Sequence, residues 1–193
     1  LASNSPAPGG GSVAALAGAI GSALTSMVCN LTIGKEKYKS VDVEIKKILK
    51  KSEKLRKQLT DLIDKDTEAF NDVMKAFKMP KETEHQKEER SLAIQKGYKT
   101  AANIPFLTAK TCEKILDLAI FIAENGNQNS ITDAAISGLM AQVGVESAVL
   151  NVKINLGSIK DDNFVEKISK GIIDLHVSSK EKSDKIIKLV NNR

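Results

Sequence analysis

Apolar and polar residues recur along most of the chain with the three- and four-residue spacing of amphipathic helices. The spacing predicts five helical segments, over residues 12–31, 41–78, 84–124, 131–156 and 163–191. Only short polar or glycine-containing turns separate these segments, so successive helices are expected to lie antiparallel. We therefore predict an all-α fold, an up-and-down bundle of long antiparallel helices that forms one domain over residues 1–193.

Prolines and glycines set several of the predicted boundaries. The opening segment 5–12 holds two prolines and three glycines, a composition that excludes regular structure there. Ser12 is expected to cap the first helix, and Gly34 is expected to end it. Pro105 falls inside the third segment, so we expect a kink or a break near Asn103.

The first predicted helix is uncharged and rich in small residues. Residues 12–33 carry no Asp, Glu, Lys or Arg, a stretch long enough to span a bilayer. Because Gly, Ala, Ser and Thr fill it and no basic region precedes it, a buried helix of a soluble protein is a better interpretation than a membrane span or a signal peptide. Small residues at four-residue spacing favour close backbone packing, within the fold or across a dimer: Ala14, Gly18, Ser22 and Ser26.

Composition narrows the classes of function. Aromatic residues make up 4% of the 193 residues and Trp is absent, so the core must be aliphatic. The net charge is +5, but lysines alternate with Glu and Asp along helical stretches, which is typical of solvated faces and not of a nucleic-acid interface. Cys29 and Cys112 form no CxxC motif, and the two histidines lie in unrelated contexts. We therefore predict reduced thiols, a cytoplasmic location and no metal site.

One aspartate interrupts the apolar seam of the second predicted helix. The seam runs through Leu55, Leu59, Leu62, Ala69, Val73 and Ala76, and the position missing from its heptad spacing is Asp66. An ionised carboxylate facing the interior costs several kcal/mol unless it is paired or hydrogen-bonded. Asp66 is therefore either a structural ion-pair partner or a functional group. Asp64 lies about 200° away around the helix and should point elsewhere.

Four further groups of residues could bind a ligand, and three of them have a structural alternative. The glycines before the first helix could cradle an anion or could simply form a turn. Asn127, Asn129, Ser130 and Asp133 could bind a polar heterocycle, or Ser130 and Asp133 could be ordinary helix-capping residues. Asn151 and Asn155 lie four residues apart on one face of an otherwise apolar helix, which suggests that they line a pocket. Lys35, Lys37 and Tyr38 could bind an anion, or the lysines could simply be exposed to solvent.

Several of these segments, in this order, resemble the formiminotetrahydrofolate cyclodeaminase and methenyltetrahydrofolate cyclohydrolase family. The matching stretches are residues 6–19, 31–38, 62–70, 126–130 with Asp133, and 151–156. They are distributed along most of the chain, between residues 6 and 156, and their combination is specific although each alone is weak. The resemblance implies a multihelical fold that contains a four-helix bundle and forms a homodimer.

The resemblance also implies a ligand and a set of site residues. The substrate would be a tetrahydrofolate derivative, whose glutamate tail is often polymeric, with no metal and no cofactor beyond that substrate. A carboxylate in the segment 64–70 is taken as catalytic in the family, and the heptad spacing independently favours Asp66. The implied substrate-binding residues are Pro8, Gly9, Gly10, Gly11, Ser12, Lys35, Lys37, Tyr38, Asn127, Asn129, Ser130, Asp133, Asn151 and Asn155.

Two reactions and two other classes of protein remain open at this point. The first expectation is cyclodeamination of 5-formiminotetrahydrofolate to 5,10-methenyltetrahydrofolate and ammonia, and the alternative is hydrolysis of the methenyl compound to 10-formyltetrahydrofolate. A non-catalytic helical interaction protein would use the small-residue helix as a dimer surface and Asp66 as a structural ion pair. A membrane-attached helical protein is the last alternative.

Overall fold

The structure is a computed structural model that describes residues 1–192, and within them it is helical with no strand. Its α-helices are α1 (Gly10–Thr32), α2 (Asp42–Phe77), α3 (Glu84–Asn125), α4 (Ile131–Leu156) and α5 (Asp162–Asn191). Two short 3₁₀ helices, Glu36–Val41 and Gln128–Ser130, lie in the α1–α2 and α3–α4 connections. The all-α prediction is confirmed, with helix ends within two residues of those expected. The 3₁₀ helices were not predicted.

Helices α1 to α4 form an antiparallel four-helix bundle, and α5 packs across α3 and α4. Short connections reverse the chain at each step, which places neighbours in sequence side by side. The core is aliphatic, as the composition required, and its largest fully buried side chains include Ile45, Leu59, Leu62, Ile115, Leu116 and Ile122.

The small residues of α1 bring its backbone close to neighbouring helices of the same chain. Ser22 is buried and donates to the Ser52 carbonyl of α2, with an oxygen-to-oxygen distance of 2.7 Å. A Cβ added to Gly21 would lie only 2.7 Å from the backbone oxygen of Ser137 on α4. The small-residue stripe therefore packs within the fold, which is the first of the two predicted alternatives.

Helix α3 continues through Pro105 without a break, contrary to the sequence-based expectation of a possible break near Asn103. Proline has no N–H, so the carbonyl of Ala101, four residues earlier, lacks its helical donor. The Asn155 side chain of α4 supplies that donor, with Nδ2 at 2.9 Å from the Ala101 oxygen. A neighbouring helix thus replaces the hydrogen bond that the proline removes, and α3 is retained.

The predicted capping roles are only partly correct. Ser12 does not cap α1, because Gly9 is the N-cap residue and the Ser12 hydroxyl bonds to α2 instead. Ser130 does precede α4, but its side chain makes no capping hydrogen bond. Asp133 lies in the first turn of α4 as expected, and Gly34 follows the end of α1 with a φ of +76°.

Two segments are long and apolar enough to cross a membrane by length and composition, Gly10–Thr32 and Gln128–Leu156. In the bundle, 67% of the apolar window of the first and 50% of that of the second are buried against other helices. Core helices of a folded bundle meet the same length and composition criteria, and both segments have that position here.

Candidate active site

A cavity of about 340 Å³ opens at one end of the bundle. The N-terminus of α1, the C-terminal half of α2, the middle of α3 and the C-terminal end of α4 meet there. The volume is within the range of small-molecule sites, roughly 300–1,000 Å³. The lining residues are Pro6, Ala7, Gly9, Gly10, Gly11, Asp66, Phe70, Val73, Met74, Phe77, Tyr98, Ala101, Asn151, Ile154 and Asn155.

Asp66 is the only ionisable carboxylate among these lining residues. It is partly buried, whereas Asp64 is exposed, so the prediction from the interrupted heptad seam is confirmed. The Ser12 hydroxyl lies 3.0 Å from Asp66 Oδ2. Among residues 1–192, no Lys, Arg or His forms an ion pair with Asp66. The interpretation of Asp66 as a structural ion-pair partner is therefore wrong.

Burial raises the pKa of the Asp66 carboxyl above its ordinary value. The hydroxyl and the backbone N–H of Ser12 oppose this by hydrogen bonding to the carboxylate, but they do not cancel it. Because Ser12 lies in the first turn of α1, the positive end of the helix also faces this carboxylate. A carboxyl with a raised pKa and no counter-ion is suited to accept and return a proton.

The hydroxyl of Ser12 can serve both protonation states of Asp66. Its oxygen lies 3.0 Å from Asp66 Oδ2 and 3.0 Å from the carbonyl oxygen of Ile63. When Asp66 is ionised, Ser12 donates to it. When Asp66 is protonated, Asp66 donates to the Ser12 oxygen, and Ser12 turns its own proton to the Ile63 carbonyl. The carboxyl thus keeps a hydrogen-bond partner before and after a proton transfer.

Gly11 allows α1 to approach the Asp66 carboxyl. A Cβ at position 11 would overlap Asp66 Oδ1 and would lie 2.6 Å from Asp66 Cγ. Any side chain there must displace the carboxyl from the cavity wall. Close packing against Asp66 therefore explains the glycine at position 11, in addition to any role of the N–H groups of this segment toward an anion.

Gly11→Ala is expected to lower kcat/KM by about 10- to 100-fold, because misplacing a catalytic group by about 1 Å has effects of that size. Steady-state kinetics on the purified variant measure the loss. Gly157→Ala is the matched control, since position 157 is exposed and its nearest neighbour would lie 3.6 Å from the new Cβ. Equal activity of the two variants would show that Gly11 does not position Asp66.

Asn151 and Asn155 present acceptor atoms to the cavity. Asn151 Nδ2 donates to the Ser147 carbonyl at 2.8 Å, and Asn155 Nδ2 donates to the carbonyls of Ala101 and Asn151. Carbonyl oxygens only accept, so these contacts fix the orientation of both amides. Asn155 uses both of its N–H groups, so only its Oδ1 remains for a ligand, whereas Asn151 retains Oδ1 and one N–H. The two amide oxygens can accept from a ligand edge with N–H donors.

The other predicted binding residues lie at the opposite end of α1. Because α1 has 23 residues, its ends are about 33 Å apart. Within one chain, the predicted binding residues therefore fall into two separate groups. The glycines, Ser12, Asp66 and the two asparagines of α4 lie at the cavity. At the far end lie Lys35, Lys37, Tyr38, Asn127, Asn129, Ser130 and Asp133. Pro8 is exposed beside the cavity-lining Ala7.

Some of the predicted binding residues near the C-terminal end of α1 have structural roles in the α3–α4 connection. Asn127 is buried, its Nδ2 donates to the Leu31 carbonyl, and its Oδ1 accepts from the backbone N–H of Asn129. Tyr38 accepts from the backbone N–H of Gln128 at 3.0 Å, and this bond lowers the pKa of the Tyr38 hydroxyl. Lys35 and Lys37 are exposed. Hydrogen bonds of Asn127 and Tyr38 thus hold the α3–α4 connection against the C-terminal end of α1 and the 3₁₀ helix that follows it.

Sequence reasoning missed the apolar and aromatic wall of the cavity. Phe70, Met74 and Phe77 follow Asp66 at intervals of four, eight and eleven residues along α2, so they share its face of the helix. Tyr98 of α3 packs edge-on against Phe77, with ring centroids 6.1 Å apart. The helical spacing from Asp66 could have identified the α2 residues. Tyr98 required knowledge of the packing.

Comparison with known proteins gives a consistent result. The sequence profile of the formiminotransferase-cyclodeaminase family matches residues 1–173. A methenyltetrahydrofolate cyclohydrolase from Methylorubrum extorquens is 44% identical over all of this chain and 93% of its own length. The crystal structure of a formiminotetrahydrofolate cyclodeaminase from Thermotoga maritima superposes with a TM-score of 0.89 at 29% identity, over 99% of this chain and 91% of the other.

A longer relative contains the same region as one part. The formimidoyltransferase-cyclodeaminase of Mus musculus is 35% identical over 86% of this chain, but the match covers only 31% of that protein. The chain therefore corresponds to about a third of such bifunctional proteins and to nearly the full length of the bacterial relative.

Proposed function

Because this chain belongs to the formiminotransferase-cyclodeaminase family of folate one-carbon enzymes, we propose that its cavity binds a tetrahydrofolate derivative and that Asp66 transfers protons there. The observation that carries the proposal is the Asp66 carboxyl itself. It is partly buried, has no counter-ion among residues 1–192, and lies in a cavity with aromatic walls. A cationic substrate would supply the opposite charge that Asp66 lacks.

The cavity wall is suited to a flat heterocycle with polar edges. Phe70, Phe77 and Tyr98 provide aromatic surface, and Asn151 and Asn155 provide amide oxygens. We propose that the pterin ring packs against this wall and directs its N–H groups to the amide oxygens. The carbon held between N5 and N10 would then face Asp66 at the end of α1.

Of the two reactions, we propose hydrolysis of 5,10-methenyltetrahydrofolate as the principal activity. A relative that is 44% identical over all of this chain and 93% of its own length is named a cyclohydrolase, whereas the Thermotoga cyclodeaminase is 29% identical. This reverses the order given by the sequence alone, which placed cyclodeamination first. Cyclodeamination remains the second candidate, because the Thermotoga structure and the bifunctional relatives carry that name.

In hydrolysis, water attacks the methenyl carbon and forms a carbon–oxygen bond, while ionised Asp66 takes a proton from that water. The product is a neutral carbinol bridging N5 and N10. Asp66 then returns the proton to N5 as the bond from N5 to the carbon breaks, and the hydroxyl proton passes to solvent. The product is 10-formyltetrahydrofolate. The negative charge of Asp66 also stabilises the cation before attack.

In cyclodeamination, N10 attacks the carbon of the protonated formimino group and forms the N10–carbon bond. Asp66 accepts the N10 proton and returns it to the amino group, which leaves as ammonia when its bond to carbon breaks. The methenyl cation remains. Both reactions begin with ionised Asp66 and use it as base and then as acid, so one site supports either.

We further propose that the enzyme is a cytoplasmic homodimer and that it accepts substrates with a polymeric glutamate tail. Lys35 and Lys37 are exposed cations of the α1–α2 connection. The net charge of +5 favours an anionic substrate in general.

The test follows absorbance of the methenyl chromophore with purified protein and two substrates, 5,10-methenyltetrahydrofolate and 5-formiminotetrahydrofolate. Loss of absorbance faster than in buffer alone identifies a cyclohydrolase, and a rise from the formimino compound identifies a cyclodeaminase. If neither signal changes and tetrahydrofolate does not bind in calorimetry, the proposal is wrong and a non-catalytic interaction protein becomes the better interpretation.

Ser12→Ala is expected to lower kcat/KM by about 10-fold, a part of the contribution that general acid–base catalysis makes. The Ser12 hydrogen bonds lower the pKa of Asp66, so losing the hydroxyl bond raises that pKa further. The pH at which activity reaches half its maximum should therefore move upward. A pH–rate profile of the variant measures this, and an unchanged midpoint would contradict the role assigned to Ser12.

A further inference from the structure

The two asparagines of the cavity face different neighbouring helices. Asn155 contacts α3, because its Nδ2 donates to the Ala101 carbonyl at 2.9 Å. Asn151 lies one turn earlier on α4 and contacts α1. A Cβ added to Gly10 would lie 3.2 Å from Asn151 Nδ2 and 3.5 Å from its Oδ1. The two amides therefore line different parts of the cavity.

Asn151 and Asp66 contact adjacent residues of α1. Gly10 lies against the Asn151 amide, and the next residue, Gly11, lies against the Asp66 carboxyl. The Cα atoms of consecutive residues are about 3.8 Å apart. Both side chains also line the cavity. An amide from α4 and a carboxyl from α2 thus belong to the part of the cavity that the N-terminus of α1 lines.

The fold accounts for Asn155 but not for Asn151. Asn155 replaces the hydrogen bond that Pro105 removes from α3, so it joins two helices. The Asn151 side chain donates only to the Ser147 carbonyl of its own helix, and within residues 1–192 it bonds to no other element. A polar side chain that joins nothing and lines a cavity is directed toward a ligand.

Hydrogen-bonding capacity remains on Asn151 beside the Asp66 carboxyl. Its bond to Ser147, 2.8 Å long, identifies Nδ2 as the donor and fixes the position of Oδ1. In the described part of the chain, residues 1–192, Oδ1 accepts no hydrogen bond. An amide oxygen can accept two, so a pterin N–H would occupy only one of these positions. The second position remains for another donor.

Both candidate reactions involve one small molecule at the methenyl carbon. Water adds to this carbon in hydrolysis, and ammonia leaves it in cyclodeamination. An attacking water must direct a lone pair to the carbon while its two O–H groups are held. Asp66 can bind one O–H and take its proton. The other O–H needs an acceptor that does not take a proton, and an amide oxygen is such an acceptor.

We propose that Asn151 is a second catalytic residue, which holds the attacking water together with Asp66. The oxygen–carbon bond forms as one O–H bond of the water breaks and its proton moves to Asp66. The other O–H meanwhile donates to Asn151 Oδ1. In cyclodeamination the same oxygen accepts from an N–H of the departing ammonia. The inference rests on the proposed function for its substrate.

Asn151→Ala is expected to lower kcat by about 10- to 100-fold, the range for losing the alignment of a reactant. Because water is always in excess, the loss of its alignment appears in kcat and not in KM. The KM for the folate, and the Kd for tetrahydrofolate in calorimetry, should rise by less than kcat falls. Asn71→Ala is the matched control, since Asn71 is exposed on α2 and outside the cavity lining.

The opposite division of the effect would overturn the proposal. If Asn151→Ala raises KM and Kd and leaves kcat unchanged, Asn151 binds the ring equally in the ground state and the transition state and does not hold the water. A wild-type protein that turns over neither folate refutes the proposed function, and the catalytic role of Asn151 with it. An active wild type with an effect on KM alone refutes only the role of Asn151.

A titration without substrate tests whether Asn151 and Asp66 are neighbours. Asn151→Asp introduces a second carboxyl, and two carboxyls that can flank one water raise the pKa of one of them. Carbon-13 NMR should show a carboxyl that titrates at least about one pH unit above Asp66 of the wild type. The Asp66 signal is identified by its absence from Asp66→Asn.

Asn71→Asp is the control for this titration, because it adds the same charge on the exposed side of α2. It should leave the Asp66 signal nearly unchanged, since solvent screens a charge there. An equal upward movement in both variants, or none in Asn151→Asp, would show that one water cannot contact both Asn151 and Asp66. Either result would overturn the proposal whatever the activity of the enzyme.

Discussion

Asp66→Asn is expected to lower kcat/KM by about 10²- to 10⁴-fold, the range over which general acid–base groups contribute. Asparagine retains the shape of the side chain but can neither accept the proton nor attract a cation. Tetrahydrofolate binding should persist, because the aromatic wall and the amide oxygens are unchanged. Steady-state kinetics and calorimetry on the same preparation measure the two effects.

The same substitution is expected to leave the fold as stable or more stable, in a pH-dependent manner. The folded-state pKa of Asp66 is raised, so the folded chain holds this proton more tightly than the unfolded chain does. That contribution is present below the ordinary Asp pKa and is lost as pH rises through the raised value. The advantage of the Asn variant should therefore grow over this interval and remain constant above it.

Chemical denaturation of both proteins across that pH range measures the difference in the free energy of unfolding. Asp64→Asn is the matched control, since Asp64 is exposed on the same helix. Loss of stability at neutral pH in the Asp66 variant alone would show that the carboxylate serves the fold and not the chemistry.

Gly21→Val is expected to destabilise the chain by about 3 kcal/mol or more, at the upper end of the cost of overpacking a core. Its Cβ would lie 2.7 Å from the Ser137 oxygen and 3.2 Å from the Ala141 nitrogen, both backbone atoms of α4. The two helices can accommodate valine only by separating. The melting temperature should fall by roughly 10 °C for a chain of this size.

Gly157→Val provides the comparison, because position 157 is exposed and a Cβ there makes only an ordinary contact at 3.6 Å. Thermal unfolding of both variants, followed by circular dichroism, separates the effect of close packing from that of losing a glycine. A Gly21→Val protein that melts with the wild type would show that α1 and α4 are less closely packed than described.

The inward-facing position of Asp66 could be predicted from sequence because a heptad seam is a one-dimensional pattern. A polar residue at an apolar seam position is visible in the sequence as an interruption of the spacing. The structure confirms that Asp66 faces a cavity while Asp64 faces solvent. Helix order and approximate ends followed from the same periodicity. These features depend on neighbours three and four residues away, which the sequence displays directly.

Features that depend on contacts with a second helix could not be predicted from the spacing of residues within one helix. The Ser12 hydroxyl bonds to Ile63 and Asp66 of α2 instead of capping its own helix, and these partners are more than 50 residues away in the sequence. Helix α3 passes through Pro105 because Asn155 supplies the missing donor. The family motifs lie at both ends of α1, and the length of this continuous helix separates them within one chain.

The pH dependence of kcat/KM tests the central claim most directly, measured for wild type and Asp66→Asn with the folate that the wild type turns over. Because ionised Asp66 is the initial base, wild-type kcat/KM should rise through an apparent pKa above the ordinary Asp value and then level off. The Asn variant should lack that ionisation. A variant that retains the same rise and midpoint would show that another group transfers the proton and would contradict the assignment of Asp66.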